Sequence, residues 1–285
     1  MFPLLIRVLF SVAFATLVKA FVQQGRQRSV VLAGNYFMAA LISGGIWLAE
    51  RESVYVPPTH TILLGAINGA LFVGGFLLNM QTMHKHGMAA TVSLIRLSVV
   101  LPVLVSILFF GERLTRLNLL AVFFSAVAVL LLAGKGEGAG ELSRFRQRWV
   151  ALASPIGLFL CNGVGDIVLK LFERTAATKD RGFFLCTIFT AAFLLSAAVV
   201  LVRRVRPRPG DVLAGLGLGI PNQFANLFMV VALQTVPAAI AFPMANISVM
   251  VLSTFVGVMI WRERLGQRGW LGILLALVAV GLLVR

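Results

Sequence analysis

The chain has 285 residues, of which 59% are hydrophobic and 12% are charged, and its mean hydropathy is +0.96. This composition excludes an ordinary soluble domain and indicates a membrane protein. The net charge of +15 comes from Lys and Arg that cluster at the ends of apolar runs, which favours contact with anionic lipid headgroups over nucleic acid.

Ten apolar runs follow one another along the chain. Because a bilayer core needs about 20 apolar residues per helical span, these runs predict ten transmembrane helices. The first run lacks the pattern of a cleaved signal peptide, so it is predicted to be a retained helix. No gap is long enough for a separate catalytic domain. The predicted spans are 2–22, 30–49, 61–82, 88–110, 114–133, 149–172, 182–202, 211–234, 237–261 and 265–284.

An internal repeat appears when the sequence is shifted by 151 positions. Lys19 then falls on Lys170, and the tripeptide ERL at 112–114 falls on ERL at 263–265, without any gap. Leucine and valine matches are common in such a composition, but charged matches at one offset are not. Each half holds five predicted spans, and an odd number places the second half in the membrane in the opposite sense. The pattern therefore predicts the inverted repeat that many secondary transporters use.

Two stretches resemble the last helix pair of EamA-like domains, from the drug/metabolite transporter superfamily: GERLTRLNLLAVFFSAVAVLLL and WRERLGQRGWLGILLALVAVGLLV. The resemblance implies an all-α integral membrane protein with ten transmembrane helices in two five-helix repeats, at 1–135 and 149–285. It also implies a carrier of small metabolites that needs no cofactor. The chain departs from the family pattern at 262–263, where Arg-Glu replaces the usual Gly-Glu.

The two glutamates of the repeated ERL motif, Glu112 and Glu263, fall just before predicted helices. An acidic group there meets the positive end of the helix dipole and free backbone N–H groups. The sequence therefore favours a structural role over substrate binding.

Neither the cysteines nor the histidines form a recognisable catalytic or metal motif. Cys161 and Cys186 lie inside predicted spans, which suggests neither a disulfide framework nor a metal site. His60, His84 and His86 lie in or beside predicted loops, and the HKH pair would need further ligands from elsewhere to hold a metal. With no nucleophile elbow or phosphate loop, the sequence predicts no enzyme, no metal and no cofactor.

Arg96 is the charge placed deepest in a predicted span. It lies about eight residues, or about 12 Å, into the fourth span, and a charge at such depth normally faces a cavity or a partner. Two interpretations remain open: Arg96 binds a carboxylate, phosphate or dipole of a substrate, or it holds backbone carbonyls of an interrupted helix.

Asp166 and Lys170 form the second charged feature within a span. Their i, i+4 spacing places them on one helix face, where they can pair. At the equivalent position before Lys19 stands Ala15, so an acid is not required to support such a lysine. The pair is therefore either a structural ion pair or a group that carries a coupled proton.

Neutral polar residues form the third feature, around a proline in the eighth span. Pro221 follows three glycines and predicts a break or kink in this helix. Polar side chains beside such a break favour a substrate site, although a single Asn can equally be interhelical glue. The candidate binding residues, with Arg96, are Asn162, Asn222, Gln223, Asn226 and Asn246, the last of which follows Pro243.

Taken together, these features predict a secondary carrier for a small polar or amphipathic metabolite, with a site near the midplane that opens alternately to each side. The alternative is a membrane scaffold or assembly protein that transports nothing. The expected location is the inner membrane of a bacterium, and the expected partners are a small-molecule substrate and lipids, with homodimerisation left open. The Lys and Arg count of the loops favours both termini outside, whereas the family resemblance favours both inside.

Overall fold

The computed structural model describes residues 1–50, 57–112, 115–132, 145–176, 178–262 and 267–283; several helical side chains, among them those of 83–94, Arg96 and 145–152, lie outside this description. All regular structure in these ranges is helical, and one 3-10 turn spans Thr178–Asp180. The helices are α1 Phe2–Gln23, α2 Arg28–Glu50, α3 Thr59–Leu97, α4 Val100–Leu108, α5 Arg116–Leu132, α6 Phe145–Thr175, α7 Arg181–Val202, α8 Pro209–Leu233, α9 Ala238–Trp261 and α10 Gln267–Leu283.

Seven helical stretches in the described residues are long and apolar enough to cross a membrane. They belong to α1, α2, α3, α6, α7, α8 and α9. The predicted all-helical integral membrane protein is thereby confirmed. The expected number of ten spans is not, because α4, α5 and α10 have only 9, 17 and 17 residues.

Helix α3 corrects one predicted boundary. The sequence predicted separate spans at 61–82 and 88–110, with His84 and His86 in or beside the connecting loop. Instead, α3 continues for 39 residues and includes both histidines. The connecting letters HKHG contain no proline and only one glycine, so nothing in them forces a helix to end.

The break falls later, between α3 and α4. Ser98 and Val99 lie in a turn between the two helices, and the Ser98 hydroxyl donates to the carbonyl of Ile95 over 2.6 Å. Pro102 follows in the first turn of α4, where a missing N–H is tolerated. The local chemistry of a serine and a proline therefore sets the end of α3.

The predicted break at Pro221 is wrong, whereas the kink expected as its alternative stays a prediction. Helix α8 runs from Pro209 to Leu233 with Pro221 inside it. A proline ring in a helix crowds the carbonyl four residues earlier, and that position is Gly217, where an added Cβ would meet nothing within 4 Å. The glycine leaves space in which the helix can adjust around the proline.

The chain divides into two compact units, each built from both halves of the sequence. Unit 1 comprises Met1–Val73 and Val168–Thr235. In it, α2 packs against α7 and α8, and α1 packs against α8. Unit 2 comprises Gly74–Ile167 and Val236–Arg285. There, α5 packs against α10, and α9 contacts α4 and α10.

Glycines set the contact between α2 and α8 in unit 1. A Cβ added to Gly215 would lie 2.5 Å from the carbonyl oxygen of Val31, and one added to Gly219 would lie 2.5 Å from the carbonyl oxygen of Asn35. The backbones of the two helices are thus in direct contact over one helical turn. This close approach is the usual result of small residues four positions apart in membrane helices.

Helices α3 and α7 pack in the same way within unit 1. A Cβ added to Gly65 would lie 2.8 Å from the side chain of Thr187, and one added to Gly69 would meet the carbonyl oxygen of Ile188. Two glycine pairs with the same four-residue spacing therefore position α3 and α8 on their respective neighbours.

Glu112 caps a helix, but a different one from the helix expected. Its two carboxylate oxygens accept hydrogen bonds from the backbone N–H groups of Ala238 and Ala239, each over 3.0 Å. These residues begin α9, whereas the sequence pointed to the helix that follows Glu112 directly. The carboxylate satisfies two N–H groups that a helix start leaves unpaired, and it ties the α4–α5 connection to α9 within unit 2. Glu263 lies outside the described residues.

The Arg-Glu departure from the family pattern coincides with a special backbone conformation. Gly111 follows α4 with φ +66°, and Arg262, 151 positions later, follows α9 with φ +54°. Glycine adopts this left-handed region freely, while a residue with a Cβ does so at a cost of about 1–2 kcal/mol. The left-handed conformation therefore occurs at both positions, once at the usual glycine and once at an arginine, for which it is strained.

Gly219→Ala should destabilise the protein, because its new Cβ would collide with the backbone of α2. We expect a loss of about 1–3 kcal/mol in unfolding free energy, as for an overpacked core. Thermal unfolding in detergent measures this. Gly45→Ala in α2 is the control: its new Cβ meets nothing within 4 Å and should stabilise that helix by up to about 1 kcal/mol. Equal effects of the two substitutions would contradict the described contact.

Candidate functional site

A chain of side-chain amides links α8 to α2 in unit 1. Asn226 Nδ2 donates to the Asn222 carbonyl oxygen over 2.9 Å and to Asn222 Oδ1 over 3.2 Å. Asn222 Nδ2 in turn donates to Asn35 Oδ1 over 3.2 Å. Two of the predicted site residues are thus brought together, and the structure adds a third residue from another helix.

The geometry of α8 explains this chain. Residues four positions apart lie on one helix face, so Asn222 and Asn226 stack along α8. Gly219 lies on the turn before them and brings α8 against the backbone of Asn35. A larger residue at position 219 would move α8 away and separate the Asn35 and Asn222 amides.

Gln223 is the most deeply buried of the predicted site residues whose side chains the structure describes. Its side chain is 0% exposed, and neither its Nε2 nor its Oε1 atom has a hydrogen-bond partner among the described residues. A buried polar atom without a partner costs about 1–3 kcal/mol. Such groups in a native structure call for an explanation, and an external ligand is one.

Two further buried amides were missed by the sequence analysis. Asn35 is 1% exposed, and its Nδ2 atom has no partner within the described part of the chain. Asn68 of α3 is 0% exposed, and both of its amide atoms lack partners in the same residues. Each is an isolated asparagine in an apolar run, and the signal that could have found it is the general cost of a polar group at that depth.

Aromatic rings line the contact of α1 with this part of α8. The ring of Phe10 stacks on Phe224 with 5.1 Å between centroids and on Phe228 with 6.2 Å. Phe224 and Phe228 alternate with Asn222 and Asn226 along the helix. Because residues two positions apart do not share a helix face, these rings pack α8 against α1 while the amide chain faces α2.

Asn162 and Asn246 lie in unit 2. Asn162 Nδ2 donates to the carbonyl oxygen of Leu158 in its own helix over 2.9 Å, and a Cβ added to Gly75 would lie 3.8 Å from this nitrogen. These contacts favour the role of a helix-packing residue for Asn162. Asn246 lies within α9, three residues after Pro243, and that helix continues through the proline.

Lys170 has an ion-pair partner that the sequence analysis did not consider. Its Nζ atom lies 2.8 Å from a carboxylate oxygen of Glu173, and the lysine is buried. The i, i+3 spacing is as favourable for pairing as the predicted i, i+4 spacing to Asp166. Asp166 is half-buried in the same helix, α6. Arg96 belongs to α3, but its side chain lies outside the described residues.

The fold and the buried amides together define an integral membrane protein that buries polar side chains within its helical spans. The EamA-like transporter family matches residues 149–285. A probable 4-amino-4-deoxy-L-arabinose-phosphoundecaprenol flippase subunit, ArnE of Klebsiella pneumoniae (strain 342), is 31% identical over 109 residues, which are 35% of this chain and 93% of that subunit. The chain belongs to the EamA-like transporter family.

Two further comparisons cover nearly the whole chain. A Haemophilus influenzae protein (strain ATCC 51907 / DSM 11121 / KW20 / Rd), named only as uncharacterized, is 26% identical over 98% of this chain and 96% of its own. A solved crystal structure shares the fold with a TM-score of 0.78 at 18% identity, covering 99% of this chain and 98% of that one. At this identity the structure supports the fold alone.

Asn222→Leu should destabilise the protein, because it leaves the buried Oδ1 atom of Asn35 without a donor. We expect a loss of about 1–3 kcal/mol. The double variant Asn35→Leu/Asn222→Leu should lose less than the sum of the two single variants, since it removes both ends of the bond. Thermal or denaturant unfolding of the wild type and the three variants provides the four free energies of this double-mutant cycle. Effects that add to within about 0.3 kcal/mol would mean that the two amides do not interact.

Proposed function

We propose that the protein is a secondary-active transporter that moves a small polar or amphipathic metabolite by alternating access. The observation that carries this proposal is the set of buried amides in unit 1. The Asn35, Asn222 and Asn226 chain lies within two membrane-crossing helices, and Gln223 adds two polar atoms with no partner in the described residues. A bound substrate would supply the missing hydrogen bonds, and the site would be uncovered when the protein changes conformation.

The proposed substrate class follows from the chemistry of this site. Amide groups donate and accept hydrogen bonds without carrying charge, so they suit hydroxyl, amide or amino groups of a metabolite. The ArnE relative is named for a flippase whose substrate joins a sugar through phosphate to a polyprenol, which supports keeping amphipathic molecules in the class.

The proposed architecture is ten spans in two inverted repeats, at 1–135 and 149–285. Helix bounds support it: adding 151 to the bounds of α5, Arg116–Leu132, gives 267 and 283, which are the bounds of α10. The left-handed turns at Gly111 and Arg262 obey the same offset. Such repeats provide two related openings around one site.

The remaining predicted residues keep their proposed roles. Arg96 would contact an anionic or dipolar group of the substrate, and Asn246 and Asn162 would contribute further amide contacts, with the packing role of Asn162 as its competitor. Asp166 and Lys170 would couple transport to a proton gradient. We place the protein in the inner membrane of a bacterium, with a small-molecule substrate and lipids as partners, and a homodimer remains compatible with this proposal.

The variant Gln223→Leu should change stability and transport in opposite directions. Removing two unpaired buried polar atoms should raise the unfolding free energy by about 1 kcal/mol or more, while the loss of a substrate hydrogen bond should weaken transport about tenfold. Proteoliposomes are incubated with a mixture of amino acids, amines, nucleosides and sugars, and accumulated compounds are identified by mass spectrometry. Arg96→Gln enters the same assay as a test of its proposed contact.

Ser43→Ala is the control for this experiment. Ser43 is fully buried in α2, and its hydroxyl already donates to the carbonyl oxygen of Ala39 over 2.7 Å. Its removal should leave transport within about twofold of the wild type, since the bond lies inside one helix. If Gln223→Leu transports as well as the wild type, Gln223 is not part of the site. If the wild type accumulates nothing, the scaffold alternative is favoured.

Asp166→Asn tests the proposed coupling. If Asp166 carries the coupled proton, the variant should lose accumulation driven by a pH gradient but retain exchange of labelled for unlabelled substrate. Glu173→Gln is the matched control, because it removes a carboxylate from the same helix at the lysine's described partner. Gradient-driven accumulation by Asp166→Asn with unchanged pH dependence would remove Asp166 from the mechanism.

A further inference from the structure

Two loops at one end of unit 1 carry six arginines. The α1–α2 loop and the start of α2 contribute Arg26 and Arg28, and the α7–α8 loop contributes four more. We call this set the arginine surface. Its members are Arg26, Arg28, Arg203, Arg204, Arg206 and Arg208.

A salt bridge joins the two loops. Arg26 Nη1 lies 3.6 Å from Oδ1 of Asp211, in the first turn of α8, and the Arg26 guanidinium also lies against Gly210. Asp211 is buried, so its carboxylate pairs with Arg26 and does not neutralise the exposed arginines. The other five arginines are exposed, and none of them forms an ion pair with another described residue. The surface therefore presents concentrated positive charge to its surroundings.

Both loops have a defined backbone. After α1, Gly25 N–H donates to Val22 and Arg26 N–H donates to Phe21. After α7, Arg204 N–H donates to Leu201 and Val205 N–H donates to Val200. In both loops, these two hydrogen bonds form the common helix ending in which one residue adopts the left-handed conformation. At that residue α1 has Gly25, with φ +66°, while α7 has Arg204, with φ +50°.

The arginines lie where the apolar surface of the helices ends. Leu201 is 76% exposed and Val202 is 84% exposed, and they immediately precede Arg203. Leu213, 68% exposed, follows soon after Arg208. Exposed apolar side chains of a membrane helix face lipid tails, so the adjacent arginines lie at the depth of the headgroups. A soluble polyanion would need no such apolar border.

The other end of α7 provides an internal comparison. With its 22 residues, α7 spans about 33 Å, which is close to the thickness of a bilayer core. At its N-terminal end the charges are of mixed sign, with Glu173, Arg174, Lys179, Asp180 and Arg181. Among these residues two acids offset most of the positive charge, whereas the arginine surface has only the buried Asp211 against its six arginines.

We infer that the arginine surface is a binding site for anionic phospholipids, whose phosphate groups pair with the exposed guanidinium groups while their acyl chains lie on the apolar helix surface beside them. Guanidinium groups match phosphate oxygens in geometry as well as in charge. This inference depends on the membrane location alone and stands apart from the proposed transport activity.

The test measures how the thermal unfolding midpoint of the full-length protein in detergent responds to phosphatidylglycerol and to phosphatidylcholine. The wild type should be stabilised more by phosphatidylglycerol. Arg203→Gln/Arg206→Gln/Arg208→Gln should bind phosphatidylglycerol about a hundredfold more weakly and lose most of that difference. Arg174→Gln/Lys179→Gln/Arg181→Gln removes the same charge at the other end of α7 and should keep it.

Three outcomes would overturn the inference. The first is a full phosphatidylglycerol response in the triple variant of the arginine surface. The second is an equal loss in the control triple variant, which would mean that net charge alone matters. The third is an equal response of the wild type to glycerol phosphate or polyglutamate, which would indicate a site for soluble anions or acidic proteins. If the triple variant does not fold, Arg206→Gln, in the loop between α7 and α8, should still copurify with less phosphatidylglycerol than the wild type.

Discussion

The contact of α8 with α2 at Gly215 and Gly219 is the constraint on which the candidate site depends. Because these glycines have no side chains, the two backbones touch, and the amide of Asn35 comes within hydrogen-bond distance of Asn222. The hydrophobic effect contributes little to the association of helices in lipid, so close van der Waals packing and polar contacts stabilise the fold instead. The same contact therefore holds unit 1 together and creates the polar chain.

The buried amides work against stability, and this conflict is informative. Gln223 and Asn68 each bury two polar atoms that have no partner among the described residues, whereas Ser43 and Thr187 satisfy their hydroxyls on their own helix backbones. Unpaired buried amides such as that of Gln223 are expected of a site whose polar groups form hydrogen bonds to a ligand.

The apolar runs predicted the helices well, because a membrane span can be recognised from the length and hydropathy of its sequence alone. Predicted spans 2–22 and 182–202 differ from α1 and α7 by only a residue at one end. Breaks inside apolar sequence were harder: the α3–α4 turn depends on one serine hydroxyl and Pro102, and Pro221 is accommodated by space at Gly217. Partners distant in sequence could not be foreseen, as with Asn35 for Asn222, 187 positions apart.

The 151-residue offset separates what the two halves share from what they do not. The left-handed residues Gly111 and Arg262 and the bounds of α5 and α10 are matched between the halves, and these features serve the architecture. The amides are not matched: Asn222, Gln223 and Asn226 correspond to Leu71, Phe72 and Gly75. Phe72 stacks with Tyr36 and Phe189 instead of presenting polar atoms. The amide chain of the proposed site is thus built from residues without counterparts in the other half, Asn35 in the first half and Asn222 and Asn226 in the second, and such an arrangement would suit an asymmetric ligand of the proposed transporter.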